Sequence, residues 1–514
     1  MSSEIKALIC IGDLADGGGE TYYICHDGQT TEATAERVVS DDAKLICHDY
    51  WMIAPALLRK VGSLPKYVVD VEELRISTSG RREDRENRES ANIFSSLAPL
   101  VTPDEIARYR SVIQGREAPN PDTLVRVGSA LISLFEEAAT KAKLADEWDR
   151  YLTIERPAGD YLISCAARGI TINTDALKRH KKEIDHAYYM ALKNFSAHYS
   201  LPLHPPSDEE IVDYLLPRGF DFEGVGVDYV LNFIPMQDGF ADRVLELRKL
   251  ATSRWMLNSI PSSQKIIYPI VDVFGSITSR VYFRDPALQN IAKRHRDIIS
   301  PDRGMQLSYV DYEQYEAGIM GALSNDERMI SLFSSGDLYA SAANQIFGDV
   351  SMRKQAKRLF LSYAYGMKRK SLVDAAVQLG AQRNAARQFY SQFEQFESWK
   401  LKIWESFRTQ GRIGTALGNY LVRSSSDELT DKEKRSAVSQ VVQGTASLIF
   451  KKALIELSQL TEIELKLPMH DAVLFQHRPT FDPMGVADLM SGVMTEHFHG
   501  QIKGKAALAT FFEG

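Results

Sequence analysis

Three short stretches carry side chains whose types and spacing suit metal and phosphate chemistry. In Gln306–Gly321, QLSYVDYEQYEAGIMG, a strand pattern runs into a helical one and Asp311 sits at the junction. A carboxylate on a strand end is rigid enough to hold magnesium, which takes oxygen ligands in near-octahedral geometry; a helix N-cap or a surface charge is the competing reading. In Leu465–Gln476, LKLPMHDAVLFQ, two apolar-alternating runs flank His470 and Asp471, the pattern of a hairpin with an acid at its bend. By itself such a pair can equally be a self-capping turn. In Ser351–Gly366, SMRKQAKRLFLSYAYG, the residues Arg353, Lys357, Leu361 and Tyr365 recur at four-residue steps. Each step turns a helix by about 400°, so the four side chains form one slowly drifting stripe. Two cations followed by an aromatic suit a nucleoside triphosphate, phosphates at the positive end and base beside the ring. The stretch Arg353–Lys370 holds seven Lys or Arg and no acid; the alternative, a solvated basic helix, would normally carry some Glu for pairing.

The elements that must position these groups are legible in outline. Short apolar runs from Ile5 to about Val39 read as strands joined by turns, so a small α/β unit opens the chain. The segment Gly80–Ser90, GRREDRENRES, is charged with both signs and has no apolar residue, which predicts a solvated loop. Leu124, Val127, Leu131, Leu134 and Phe135 share one helical face between Pro121 and Tyr151, near which the first domain ends. A helix-rich stretch spans Asp175 to Ile260, broken by LPLHPP, with a new helix at Ser207. Strands and helices then alternate to the end without an internal repeat.

A chain of 514 residues exceeds the size at which one core keeps growing, so several domains are expected. With 44% apolar and 25% charged residues it is an ordinary globular composition, not a disordered one. The net charge of −7 argues against a surface that is uniformly a nucleic-acid magnet, although a local patch can override the sum. Cys10, Cys25, Cys47 and Cys165 lack metal-ligand spacing and predict reduced thiols. No secretory signal pattern and no membrane-length apolar run are present, so a cytoplasm is the expected compartment, that of a bacterial host if the chain is phage-encoded.

The order DYEQYE, RKQAKRLFLSYAYG and HDA resembles motifs A, B and C of family A (polymerase I type) DNA polymerases. Gln443-Gly444-Thr445-Ala446 is similar to the family's Q-G-T-A element, and Ser279-Arg280 with Asp285 to Ile291 (DPALQNI) to its T-G-R and D-P-N-L-Q-N-I segments. Arg156-Pro157, Gly169-Ile170 and Asp175 resemble the start of the polymerase module. The resemblance implies an α/β multidomain fold, a right-hand palm, fingers and thumb preceded by a small α/β ribonuclease H-like domain of exonuclease type. Residues 1–150 would form the latter and 151–514 the polymerase module, with the thumb at about 175–270, the palm at about 271–335 and 411–514, and the fingers at about 336–410.

By the same resemblance Asp311, Tyr312 and Asp471 hold two Mg2+ ions, for which Mn2+ can substitute, and Lys357 joins the two aspartates in catalysis. Arg353, Lys357, Leu361, Tyr365, Glu316, Gln314 and Tyr339 bind the incoming nucleotide, with Glu316 in the space a ribose 2′-hydroxyl needs. Arg280, Gln289, Asn290, Arg435, Gln443 and His470 contact DNA, reading base-pair shape on the minor-groove side. Implied partners are primer-template DNA and dNTPs, with replication accessory proteins besides, no membrane, and a monomeric state. Four positions depart from the family pattern: Ala472 replaces an acid, Leu361 a Phe or Tyr, Ser362 a Gly, and Tyr339 a His.

Residues 1–150 resemble the 3′–5′ proofreading domain at His48-Asp49 and Asp70. The D-x-E of the first strand is missing from Ala7 to Cys25, no acid stands near Ala54, and the Pro121 helix lacks Y-x-x-x-D at its start, which predicts a degenerate domain without proofreading. Two rivals to the polymerase reading are a single-subunit RNA polymerase, disfavoured by Glu316 and Q-G-T-A, and a catalytically silent DNA-binding accessory protein, which would have no use for Asp311, Asp471, Arg353, Lys357 and Tyr365 together.

Overall fold

The structure, a computed structural model, describes residues 4–12, 19–86, 92–220, 222, 226–233, 236, 238–425 and 427–512. In the first unit β1 (Ile5–Ile11), β2 (Thr21–His26) and β3 (Gln29–Ala33) form an antiparallel meander. Strands β4 (Lys44–Cys47) and β5 (Val68–Asp70) add in parallel beside β1, giving the order β3-β2-β1-β4-β5. The run ALICI in β1 has no polar alternation because both faces of the sheet are covered. Ala7, Ile9 and Ile11 pack toward α1 (Pro121–Leu144), while Leu8 joins Leu45 against the helix Tyr50–Val61. All five apolar residues expected on one face of α1 are buried. Helix and sheet meet closely at Gly128, where an added Cβ would stand 2.5 Å from Cβ of Cys25.

The chain does not pause at the expected boundary after residue 150. Trp148–Arg150, a π-helical turn at Tyr151–Glu155 and α2 (Arg156–Arg168) follow one another without a linker. Next, α3 (Thr174–Tyr199) packs along α4 (Phe240–Ser259), and their far end is closed by Asp208–Leu215 and Val227–Phe233 around Phe195, Tyr199 and Phe240. The helix expected at Ser207 is there, opened by a Ser207/Glu210 capping box.

The central sheet has the order β7-β8-β6-β9, built from β6 (Gln306–Tyr312), β7 (Ile463–Met469), β8 (Ala472–His477) and β9 (Ala506–Leu508). Between β6 and β7 the chain makes a helical unit that includes α5 (Tyr315–Ser324), α6 (Leu338–Phe347) and α7 (Arg353–Ala364), whose core holds Phe360, Tyr363, Phe389, Phe393 and Phe396. It then returns through the hairpin Arg412–Thr415/Gly418–Val422 and the 27-residue α8 (Asp431–Leu457), started by a Thr430/Glu433 capping box. Among the described residues no helix is long and apolar enough to cross a membrane.

One expectation fails at the junction of these units. Residues 82–86 of the supposed solvated loop form a short helix, and Arg85 is buried; residues 87–91 lie outside the described residues. The Arg85 guanidinium donates to the carbonyls of Ile277 and Tyr420 and to Asn419 Oδ1, and lies 4.4 Å from the Phe274 ring centre. A charge-rich segment can be interior when its cation finds carbonyl acceptors and an aromatic face, which composition does not reveal.

A second buried set lies beside it. Glu155 accepts from Arg150, from Lys451 on α8 and from Ser279, while Arg150 also donates to Glu147 and to the Ser77 carbonyl. Burial alone would raise the Glu155 pKa, but Lys451 and Arg150 outweigh it and hold the carboxyl below its ordinary value. Removing one member of such a set leaves uncompensated buried charge, which costs about 3–5 kcal/mol. Glu155→Ala is therefore expected to lower the unfolding free energy read from urea titration by that much, and Glu155→Gln, which keeps hydrogen-bonding atoms, by less.

Candidate functional site

The antiparallel register of the central sheet brings together two acids far apart in sequence. Asp311 is paired with Ala472, so it lies across from the two-residue turn, His470-Asp471, that joins Met469 to Ala472. The turn requires His470 at φ +61, a left-handed conformation uncommon outside Gly but one that His, like Asn and Asp, adopts more readily than other residues. Asp311 is not a helix cap: that position of α5 belongs to Gln314, whose side chain makes no capping bond. Burial raises Asp471 to about 7, with the Asp311 charge as the next cause. Asp311 is itself raised by burial, opposed by Lys357, Lys293 and Arg296. Two carboxylates that resist ionising together form a site that a divalent cation would relieve.

The donor chemistry fits magnesium. Among the described residues there is no cluster of three or more His, Cys, Asp or Glu side chains of metal-binding geometry. Magnesium sites on phosphate substrates use one or two carboxylates and complete their shell with water and phosphate oxygen, which two aspartates at a cleft permit. Tyr312 can contribute only its main chain, since its phenol donates to the Met490 carbonyl and its ring stacks on Tyr315 at 4.1 Å.

The predicted stripe on α7 meets this pair at Lys357, whose charge opposes the rise of Asp311. Arg353 and Lys357 are exposed, with their charges 5.6 and 5.4 Å from the centre of the same Tyr339 ring. Tyr339 is buried, and the Arg353 Nε also donates to Asp337. Helix α7 ends at Ala364, but the Tyr365 N–H still bonds the Leu361 carbonyl at 3.0 Å, so the stripe continues. Leu361 is half-buried against the core. Burial, then the neighbouring Glu316 charge, pushes up the Tyr365 phenol, which lies near Glu316 and Gln443. Glu316 accepts from Arg280 at 2.9 Å. Gln314 is spent on structure: its Nε2 donates to the Gly336 carbonyl and its Oε1 accepts from the Leu338 N–H, fastening the start of α6.

A groove beside the acids is lined by Arg280, Tyr282, Tyr365, Arg435 and Gln443. His470 is exposed and meets Tyr282 edge-on at 6.3 Å. Arg435 and Gln443 stand two turns apart on one face of α8, and Gly444 lets that helix approach the hairpin, where an added Cβ would stand 2.9 Å from Cγ2 of Thr415. Of the remaining expected contacts Asn290 is exposed, but Gln289 is buried and accepts from the Phe283 N–H, so it supports the strand that precedes it.

The sequence profile of DNA polymerase family A matches residues 228–507, more than half of the chain. The chain belongs to this family. It is similar to DNA polymerase I of Caldicellulosiruptor bescii, 27% identical over 365 residues that make up 63% of this chain and 42% of that protein. It is 28% identical over 241 residues to the thermostable DNA polymerase I of Thermus aquaticus, covering 43% of this chain and 29% of the other. The chain thus spans less than half the length of these curated relatives. Among solved structures, the POL domain of Pol1 from M. smegmatis in complex with DNA primer-template and dNTP superposes with a TM-score of 0.76 at 19% identity, covering 99% of this chain and 95% of that one. The fold is therefore the right-hand architecture of family A polymerases.

Within that fold the sequence pointed to the two aspartates and the α7 stripe but missed the cations facing Asp311, Lys293 and Arg296. Their signal was the basic run AKRHRD directly after Asn290-Ile291. In the first unit the acids of interest are engaged locally. Asp70 accepts from the main-chain N–H groups of Tyr50, Glu72 and Glu73 and is raised to about 6 by burial. Asp49 takes bonds from His48 and Trp51, and His48 also meets the Tyr109 hydroxyl at 2.7 Å.

The raised pKa of Asp471 has a stability consequence of definite sign. A carboxyl raised from an ordinary 3.8 to about 7 contributes stability below pH 4 that is lost as pH rises through 7. In EDTA at pH 8, Asp471→Asn is accordingly expected to be more stable than the parent by roughly 4 kcal/mol, with the difference vanishing near pH 4 in urea titrations.

Proposed function

We propose that the chain is a template-directed DNA polymerase that adds dNTPs to a primer 3′ end. The observation that carries this reading is the apposition of Asp311 and Asp471, with Lys357 close enough to act on Asp311 and Arg353 beside it over the same Tyr339 ring. Asp311 and Asp471, with the main chain at Tyr312, would hold two Mg2+ ions, or Mn2+ in their place. Bound there, the ions supply charge stabilisation for the attacking 3′ oxygen and the departing pyrophosphate. Arg353 and Lys357 neutralise the triphosphate as negative charge moves toward the leaving group. Tyr365 and Leu361 border the base and sugar of the incoming nucleotide. Glu316, oriented by Arg280, fills the space of a ribose 2′-hydroxyl and so favours deoxynucleotides.

Primer-template DNA occupies the groove of Arg280, Arg435 and Gln443, with His470 and Asn290 at its edges, consistent with the primer-template carried by the structural neighbour. In this reading residues 175–270 are the thumb, 271–335 and 411–514 the palm, and 336–410 the fingers, and the enzyme works as a monomer in a cytoplasm. Residues 1–150 are an exonuclease-like domain without proofreading, because Asp70 and Asp49 are spent on main-chain and side-chain bonds of their own unit. Magnesium-dependent trimming of a mismatched 3′ end that disappears in Asp70→Ala would overturn that part.

Extension of a labelled primer with magnesium tests the whole. Wild type is expected to extend with dNTPs in preference to NTPs, and Asp311→Ala to lose extension by at least about a thousandfold, as the loss of a group that organises phosphoryl transfer implies. Glu316→Ala is expected to admit NTPs. Wild type that binds primer-template and extends nothing would leave a DNA-binding protein in place of an enzyme.

A further inference from the structure

The charged segment of the first unit reaches the rim of the groove assigned to DNA. Arg82 and Arg85 are one helical turn apart, on the same side of the helix Arg82–Glu86. Arg85 is the anchor, buried in carbonyls and against Phe274 as described above. That anchor holds Arg82 at the groove wall, where its Nη2 donates to Ser436 Oγ at 3.0 Å. Ser436 adjoins Arg435, and Ser439 and Gln443 follow on the same helix; all of them line the groove with Arg82.

The chemistry of the lining points to a polyanion. Three guanidinium groups, Arg82, Arg280 and Arg435, converge on one groove whose other described lining residues are hydroxyl, amide, aromatic and aliphatic, with no carboxylate among those described. Arg280 has Glu316 behind it, but the groove surface itself presents positive charge and neutral donors. Bringing like charges together costs free energy that a threaded phosphate backbone returns, and arginine forks match phosphate oxygens.

We infer that Arg82, supplied by the first unit, is a DNA-backbone contact of the polymerase groove, binding a phosphate of the primer-template close to Arg435. The first unit is then a working wall of the DNA channel, and Arg85 is the positioning residue that sets Arg82 in place. This rests on the polymerase reading, which puts DNA in that groove.

The test measures primer-template affinity of the full chain across salt concentrations for wild type, Arg82→Ala, Arg82→Lys and the exposed control Arg37→Ala on the helix Ala35–Ser40 of the same unit. Arg82→Ala is expected to weaken binding several-fold irrespective of sequence and to flatten the dependence of log Kd on log salt by about one. Arg82→Lys should keep the slope, and Arg37→Ala should match wild type. Unchanged affinity and slope in Arg82→Ala, with thermal midpoint intact, overturns the inference while leaving the polymerase reading standing. Failure of wild type to bind primer-template removes the polymerase reading instead. Equal losses in Arg82→Ala and Arg37→Ala would reduce the effect to net charge and also overturn it.

Discussion

The joint between the first unit, the long helix α8 and the turn that carries Arg280 is built on one buried carboxylate. Glu155 sits where the first unit, the long helix α8 and the Ser276–Arg280 turn meet, and it is neutralised by Arg150 and Lys451 while accepting from Ser279. Each partner belongs to a different part of the chain, so the set can be satisfied only when all three are in register. A buried ionic cluster is weak as a source of net stability, but it is intolerant of misassembly, because any missing member leaves a charge without a partner. The burial that depresses Lys451 to about 8 expresses the same tension from the cationic side.

From that cluster the constraint passes outward in short steps. Ser279 bonds both Lys451 and Glu155, and the next residue, Arg280, has its main chain held by Ser276 and Gly275. Its guanidinium is thereby aimed at Glu316, which in turn borders Tyr365 at the end of α7. The residue read as the sugar discriminator is thus oriented by a chain of contacts that starts in the interior. The Arg85 anchor runs parallel to it, joining the first unit to the same turn at the Ile277 carbonyl. A first unit fastened at two such places is not a loosely tethered appendage, whatever has become of its own acids.

The departures from the family pattern fall into place in different ways. Tyr339 replaces a cation with a ring that the two remaining cations of the stripe overlie, so the positive charge is kept close even though one source of it is gone. Ala472 is fully buried in strand β8 and paired with Asp311, where a further carboxylate would add to the repulsion already raising Asp471. Nothing in the structure explains Ser362.

The sequence by itself determined the local elements and the residue types that carry chemistry. Periodicity located α1 and α7, alternation located the strands flanking His470 and Asp471, and the four-residue spacing of Arg353, Lys357, Leu361 and Tyr365 placed them on one stripe, because helix and strand geometry act over a few residues. The order of the motifs carried the family. Only the tertiary structure decided which groups act together. Strand register set Asp311 against the turn of Asp471, and the packing of α8 against the end of α7 put Gln443 beside Tyr365. It also placed Arg85, in a run without apolar residues, in the interior, and it gave structural bonds to two residues that the family resemblance put at the nucleotide and the DNA: Gln314 fastens a helix, and Gln289 supports a strand. The reason is common to all three. A polar side chain goes where its hydrogen bonds can be satisfied, and the partners that satisfy it are supplied by segments tens to hundreds of residues away.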